Sequence, residues 1–423
     1  MIGFIGLSHL GLNYSLATAA KGFDVICYDP DKDLVGRLRD GNFPIEEPGF
    51  RELFLKHRAR LRYTSDLPEI GKCGLVFYSL DIRTDDRNGS DLGPLTALIE
   101  GTAPCLASGS VAVVMSQVRP GYVRGLSTRI KPQVASWYYQ VETLVFGAAV
   151  QRAMEPERFI VGSPSPEAPL PEAYRAWLST FQCPTLVMRY ESAELAKIAI
   201  NLFLVSSVSA TNMLAELCEA IGADWTEIAP ALRLDKRIGP HAYLNPGLGI
   251  SGGNLERDLV TVQGLAHEFG TEAGTVDAWQ RNSAHSKSWA LRVLERELLR
   301  SKPAARIAVW GLAYKQDTVS VKNSASLELI RALVECQFHA YDPSARVDGT
   351  EFPNLTVHPK AMDAVANADA LAIMTPWKVF STISPVAVAA KLGGRLVVDP
   401  HGMLEHRACG SAGLRHFQIG RPK

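Results

Sequence analysis

The sequence predicts an α/β protein with two doubly wound parallel-sheet domains joined by a helical middle that contains one long central helix. Three observations predict it. Short Val/Ile/Leu-rich runs alternate with helical patterns from residue 1 to about 185, long helical stretches replace them between about 190 and 300, and the alternation resumes at RIAVWGLAY (306–314). Continuous apolar strands separated by amphipathic helices mark a parallel sheet covered on both faces. The implied domains are 1–185, 186–300 and 301–423. At 423 residues the chain exceeds one ordinary core, so division into domains is expected. With 47% hydrophobic and 21% charged residues, it lies far from the signature of disorder and should fold throughout.

The elements follow in order. Strands are read at IGFI, DVICYD, GLVFYSL, SVAVVMS, ETLVFG, RFIVG and TLVMR, with helices at 11–21, 31–40, 93–100 and 121–130. The segment 191–222 is a helix, apolar almost all round, that ends at Gly222 in the position typical of a helix stop. So little polar face implies burial between domains or subunits. Residues 239–253 are Gly-rich and irregular, a loop able to bring backbone close to a ligand. A second helical run covers 255–300. Strands return at FHAYDP, NLTVHP, ADALAIMTP and RLVVDP.

Composition excludes several classes of function. Lys plus Arg number 44 against 44 Asp plus Glu, which argues against a nucleic-acid or anionic-membrane binder, so an anionic ligand must be held by a local cluster. Trp225, Trp279, Trp289, Trp310 and Trp377 are read as core and interface anchors, since no repeated basic–aromatic pattern accompanies them. The seven cysteines show no CxxC and no regular spacing, so neither a metal site nor a disulfide framework is implied, and a reducing cytoplasmic setting fits. The opening MIGFIGLSHLG reads as a strand and not as a signal peptide. The longest apolar stretch, 198–210, is preceded by Lys197, interrupted by Asn201 and too short to span a bilayer. No membrane contact is expected.

The first strand feeds into Gly6-Leu-Ser-His-Leu-Gly11 and then a helix, where a dinucleotide pyrophosphate meets a helix N-terminus in a Rossmann-like domain. Ser8 stands in place of the middle glycine of G-x-G-x-x-G, and a tight strand-to-helix turn of any α/β protein would look similar. The next strand ends at Asp29, 18 positions beyond Gly11, where a carboxylate can accept from both ribose hydroxyls. Asp29, Asp31 and Asp33 would repel a 2′-phosphate, favouring NAD over NADP, although Lys32 and Arg37 lie close by. His9 is read as a donor facing the pyrophosphate, not as an acid–base catalyst.

Several further segments match one family in order. FPIEEPGFREL (43–53), LRYTSDL (61–67), SQVRPGY (116–122), VETLVFG (141–147) with PERFIVG (156–162), ELAKIAIN (194–201), DKRIGPHAYLNPGLG (235–249) and GLAYKQDT (311–318) are collinear with its motifs. The chain resembles the UDP-glucose/GDP-mannose dehydrogenases over nearly its whole length. The resemblance implies two Rossmann-like domains, NAD as cofactor, a nucleotide-sugar substrate, and a homodimer through the 191–222 helix. It adds Leu10, Ser79 and Gln117 to the cofactor residues Gly6, Ser8, His9, Gly11 and Asp29. It assigns catalysis to Glu142, Lys197, Asn201 and Asp258, with the first three also touching substrate. Arg237, Tyr243, Asn245, Gly249, Gly253, Lys315, Lys322 and His401 complete the implied substrate site.

The residues carry physical readings of their own. Lys197 and Asn201 lie four apart on one helix face, and a buried Lys is costly unless paired or used. An interior Lys–Glu ion pair is one reading; an ammonium beside an amide over a developing alkoxide is the other. Asp258 can orient or deprotonate a water, or serve as an early-helix carboxylate favoured by the dipole.

The departures bear on mechanism. The family's loop reads G-G-x-C-F-P-K-D, and its Cys captures the aldehyde as a thiohemiacetal; here Asn254 occupies that position. An amide cannot make that bond. Gln117 replaces Thr, Lys322 replaces Arg and His401 replaces Arg, and Lys–Arg exchange alters bidentate geometry, so the pocket is not that of UDP-glucose itself. The expected reaction is a single NAD-dependent oxidation giving a keto-sugar or aldehyde. The alternatives are a redox epimerase, a four-electron dehydrogenase giving a uronic acid, and a catalytically silent nucleotide-sugar binder.

Overall fold

A computed structural model describes residues 1–85, 87–130 and 134–422. It divides into two compact units, Met1–Ile200 and Asn201–Lys423, so the first third of the long helix belongs to the first unit and the later helices of the middle segment are grouped with the second sheet.

The first unit is built on eight strands: β1 (Ile2–Ile5), β2 (Val25–Tyr28), β3 (Leu61–Thr64), β4 (Leu75–Tyr78), β5 (Ser110–Val114), β6 (Val134–Gln140), β7 (Phe159–Ser163) and β8 (Thr185–Arg189). Their order across the sheet is β3-β2-β1-β4-β5-β6-β7-β8. Successive side chains of a strand point to opposite faces, and here both faces are dry. Phe4, Cys27 and Phe77 belong to one apolar layer, and their neighbours Ile5, Tyr28 and Tyr78 to the other. That is why these strands read as continuous apolar runs rather than alternating ones.

Two expectations are corrected here. ETLVFG is not a strand: residues 142–147 are irregular, and the strand is the preceding VASWYYQ segment, where aromatic residues supply the strand preference. The sheet is also not wholly parallel. β6 and β7 pair antiparallel, Tyr139 opposite Gly162.

The helix Tyr190–Ile221 runs 32 residues and stops where Gly222 takes a φ of +79°. Its length and apolarity would suffice to cross a membrane by those criteria alone. Glu191, Glu194 and Lys197 nevertheless stand in its first turns.

The second unit carries β9 (Arg306–Trp310), β10 (Gln337–Tyr341), β11 (Leu355–Val357), β12 (Ala370–Ile373), β13 (Leu396–Val398) and β14 (Arg415–Phe417). These form an all-parallel sheet ordered β11-β10-β9-β12-β13-β14. The edge strand β14 was not anticipated, because RHF is short and half polar. The run 255–300 is broken into helices Asn254–Phe269, Gly274–Lys287 and Trp289–Leu294, and Gly270 at φ +66° makes the first break. Trp225, Trp289, Trp310 and Trp377 are buried in this unit's core, as read from the sequence.

Candidate active site

The glycine turn after β1 is held by hydrogen bonds from Ser8 and Ser79. Gly6 has φ +90°, a conformation available to glycine without strain. A Cβ on Gly11 would meet the Gly6 carbonyl oxygen at 2.1 Å and Ser79 Oγ at 2.7 Å, so only glycine lets the helix His9–Ala20 start this close to the sheet. Ser79 Oγ donates to the Gly6 carbonyl at 3.0 Å. Ser8 Oγ donates to the Ser79 carbonyl at 3.0 Å and accepts from the Asp81 N–H at 2.8 Å. The hydroxyl is thus tied to the end of β4, which explains how serine substitutes for the middle glycine. Ser8 does not cap the first turn of the helix with its own side chain; the Asp81 carboxylate engages the Leu10 N–H, and the remaining first-turn N–H groups suit an anion. Asp29 accepts from Leu7 N at 2.8 Å and from Asp31 N at 3.0 Å, so its carboxylate is held at the lip of the turn. These features fit a dinucleotide.

Two of the implied cofactor residues have side chains engaged within the protein. The side chain of Leu10 is buried in the apolar layer, so it cannot serve a ligand. His9 is engaged elsewhere: Nε2 lies 2.7 Å from Glu47 Oε1, and the ring packs on Phe146 with centroids 4.3 Å apart. Glu47 also accepts from Gly147 N at 3.0 Å and Ala149 N at 3.1 Å. This buried carboxylate, in the FPIEEPG segment, joins the glycine turn to the loop that carries Glu142, and sequence reasoning gave it no role.

Lys197 pairs with Glu142 at 2.9 Å, both side chains mostly covered. Glu142 is fixed in turn by the Leu144 N–H at 3.0 Å. One helical turn before Lys197, fully buried Glu194 accepts from Gly121 N at 2.6 Å and Val123 N at 2.9 Å. Burial pushes its carboxyl up to about 7. It holds the turn that follows Gln117, and its place three residues before Lys197 on the same apolar helix was the available signal.

In the second unit, Asn201 donates its amide to buried Asp258. Arg257 Nε approaches the other carboxylate oxygen at 3.4 Å. Asp258 is the fifth residue of the helix Asn254–Phe269, beyond the first turn where a dipole-favoured carboxylate would sit, so that bland reading loses its geometric basis.

The loop before this helix is braced rather than open. Gly252 and Gly253 have φ +95° and +98°, and a Cβ on Gly252 would strike the Tyr314 ring at 2.2 Å. Gly252 N donates to the Lys322 carbonyl at 3.2 Å. Glu256 accepts from Gly253 N at 3.1 Å, from Asn323 and from Lys287. Asn254 is the first helical residue and is exposed.

Among the implied substrate residues, several are occupied locally. Arg237 is exposed and bound by Asp235 two residues away. Asn245 accepts from Arg233 at 2.8 Å. The Tyr243 side chain is exposed, while its carbonyl accepts from Ser207 and Thr211. Gly249 is required by packing, since a Cβ would meet the Ser283 carbonyl oxygen at 2.5 Å. His401 lies 3.3 Å from the Met374 carbonyl, and burial lowers its pKa, so it is a neutral partner and not an Arg-like cation. Lys315 and Lys322 are half-buried.

A nucleotide-type turn, a mostly buried Lys–Glu pair and a buried Asn–Asp pair define an oxidoreductase built on two parallel sheets. Residues 1–178 match the NAD binding domain of the UDP-glucose/GDP-mannose dehydrogenase family, 191–284 its central domain and 308–406 its UDP binding domain. The chain belongs to this family and is an NAD-dependent nucleotide-sugar dehydrogenase by class. It is 30% identical over 425 residues to the UDP-glucose 6-dehydrogenase AglM of Haloferax volcanii, covering 96% of this chain and 97% of that protein. It is 29% identical over 442 residues to a UDP-glucose 6-dehydrogenase of Pseudomonas aeruginosa, covering 99% and 97%. A UDP-glucose dehydrogenase structure from Pyrobaculum islandicum superposes with a TM-score of 0.84 at 25% identity, covering 96% of this chain and 95% of that one.

Proposed function

We propose that the protein removes one hydride equivalent from a nucleotide-linked sugar other than UDP-glucose, giving a keto-sugar or an uncaptured aldehyde with no covalent intermediate. NAD supplies the hydride acceptor when bound. The observation that carries the reading is Asn254, exposed at the start of its helix where the resembling pattern places a thiol. The cysteines flanking it in sequence, Cys218 and Cys336, are buried, and burial raises both thiols.

In this reading the Lys197 ammonium, oriented by Glu142, stabilises negative charge on the reacting oxygen. Asp258, oriented by Asn201, takes the hydroxyl proton through a water. Lys315 and Lys322 neutralise the diphosphate. The subunit face is the exposed apolar side of the long helix, where Phe203 is 79% and Ile221 67% exposed, so a homodimer forms there. The cell compartment is the cytoplasm, in keeping with seven unpaired cysteines.

The test supplies purified protein and NAD with UDP-, GDP- and dTDP-sugars and counts NADH per sugar consumed. One NADH and a hydrazine-trappable carbonyl are expected. Two NADH and a uronic acid overturn the reading; exchange of a sugar carbon's hydrogen without net NADH indicates an epimerase; no exchange at all indicates a silent binder.

A further inference from the structure

Alongside the edge strand β14 lies a cavity of about 260 Å³ whose walls include His406, His416, Leu414, Phe417 and Arg421. None of the residues assigned above to cofactor or substrate lines it.

The polar groups form a relay. Buried Asp399, next after β13, accepts from Leu404 N at 2.8 Å and lies 3.2 Å from His416 Nε2. His416 Nδ1 faces His406 Nδ1 at 2.9 Å. Two ring nitrogens at that separation share a proton, one donating and one accepting. With Nδ1 so engaged, Nε2 is the nitrogen of His406 left for a ligand.

Arg421 supplies the second element. Its Nε is buried without a hydrogen-bond partner. The other charges around the cavity are committed. Arg415 pairs with Glu297, and Glu219 accepts from Trp289 Nε1 at 3.0 Å and Gly420 N at 3.2 Å. A buried donor left unmatched is expensive, and native structures rarely keep one without a reason.

We propose that this cavity binds a phosphate dianion, free or as a phosphomonoester, through Arg421 and the His406–His416 pair. Leu414 and Phe417 furnish an apolar wall for a small organic group. The groups facing His406 are His416 and Arg421, which with burial lower its pKa, and Glu405 and Asp224, which act in the opposite sense. A bound dianion offsets the first two. His406 then takes up a proton, so affinity rises as pH falls.

The test is calorimetric titration of the full chain with inorganic phosphate, and separately with glucose 1-phosphate, while UDP saturates the nucleotide-sugar residues. Runs at about pH 6 and about pH 8 bracket the histidine range. Expected are saturable binding, tighter at the lower pH, and at about pH 8, where the free ligand is already a dianion, heats that differ between buffers of different ionisation enthalpy because His406 takes up a proton. Arg421→Gln should weaken binding about tenfold or more, as loss of a charge-assisted contact, with an unchanged melting temperature. At about pH 8, where the ligand is already a dianion, His406→Asn should remove the proton uptake and with it the buffer dependence. Tighter binding of glucose 1-phosphate identifies a phosphomonoester as the ligand, and tighter binding of inorganic phosphate identifies the free ion. Absent binding, binding equal at both pH values, or binding unaltered by Arg421→Gln overturns the proposal.

Discussion

Two glycine turns, each opening a helix, differ in what they leave exposed. The turn from Gly6 to Gly11 packs so closely that Gly11 tolerates no Cβ, and its one departure from the fingerprint, Ser8, is absorbed by bonds to Ser79 and Asp81. The turn from Gly252 to Gly253 is just as tightly specified, by the Tyr314 ring and the Glu256 network, yet it presents Asn254 to solvent. Backbone constraint is therefore kept at both turns, while in the proposed function only one of them retains its chemistry. The groups we assign to the hydride step, Lys197 with Glu142 and Asn201 with Asp258, are paired and covered. The group assigned to covalent capture has no sulfur. Gly252 answers to packing against the Tyr314 ring, which fixes the turn whatever side chain stands at position 254.

The largest effect should come from the retained side of this comparison. Lys197→Met removes the charge opposed to the reacting oxygen and should lower the rate of NADH formation about 10³-fold. Asp258→Asn should lower it about 10²-fold through loss of proton acceptance. Both are read by NADH absorbance with the sugar identified in the panel. If both variants turned over normally, the assignment of the hydride step would fall.

The glycine turn comes next. Gly11→Ala forces a Cβ against the Gly6 carbonyl, and overpacking of this kind costs about 1–3 kcal/mol; the melting temperature should drop and NAD affinity with it. Asp29→Ala should weaken NAD by about 1–3 kcal/mol and relax discrimination against NADP, with part of the loss arising from the Leu7 N–H it leaves unmatched. Fluorescence titration with both cofactors measures this. Equal affinity of the variant and the parent for NAD would remove Asp29 from the site.

What was legible in the sequence follows the same division. The apolar runs of the buried strands, the long helix and the Lys197/Asn201 spacing are local patterns, and they translated directly into structure. The 142–147 segment misled because Leu144, Val145 and Phe146 resemble a strand by composition, whereas Phe146 packs on His9 and Glu142 turns to Lys197. Glu47 and Glu194 were passed over because their partners are backbone N–H groups 100 and 73 residues away, and no local pattern announces such a contact. Arg237 forms an exposed ion pair with Asp235 two residues away, a contact that its local spacing allows.

The smallest expected effect is also the one that sharpens the comparison most. Asn254→Ala deletes an exposed amide at a helix start whose geometry is set by Gly252, Gly253 and Glu256, so fold and melting temperature should be nearly unchanged. If Asn254 only orients substrate through one hydrogen bond, NADH formation should fall by a few-fold at most, in line with about 1 kcal/mol. Asn254→Cys restores the missing sulfur on an unaltered turn. Should the oxidised carbon be primary, the thiol can hold the aldehyde for a second oxidation, and acid product with a second NADH should emerge; should it be secondary, no acid can form and stoichiometry stays at one. Product analysis by mass spectrometry separates these outcomes. A large loss in Asn254→Ala, comparable with Lys197→Met, would instead make the amide part of the hydride step and erase the distinction drawn between the two turns.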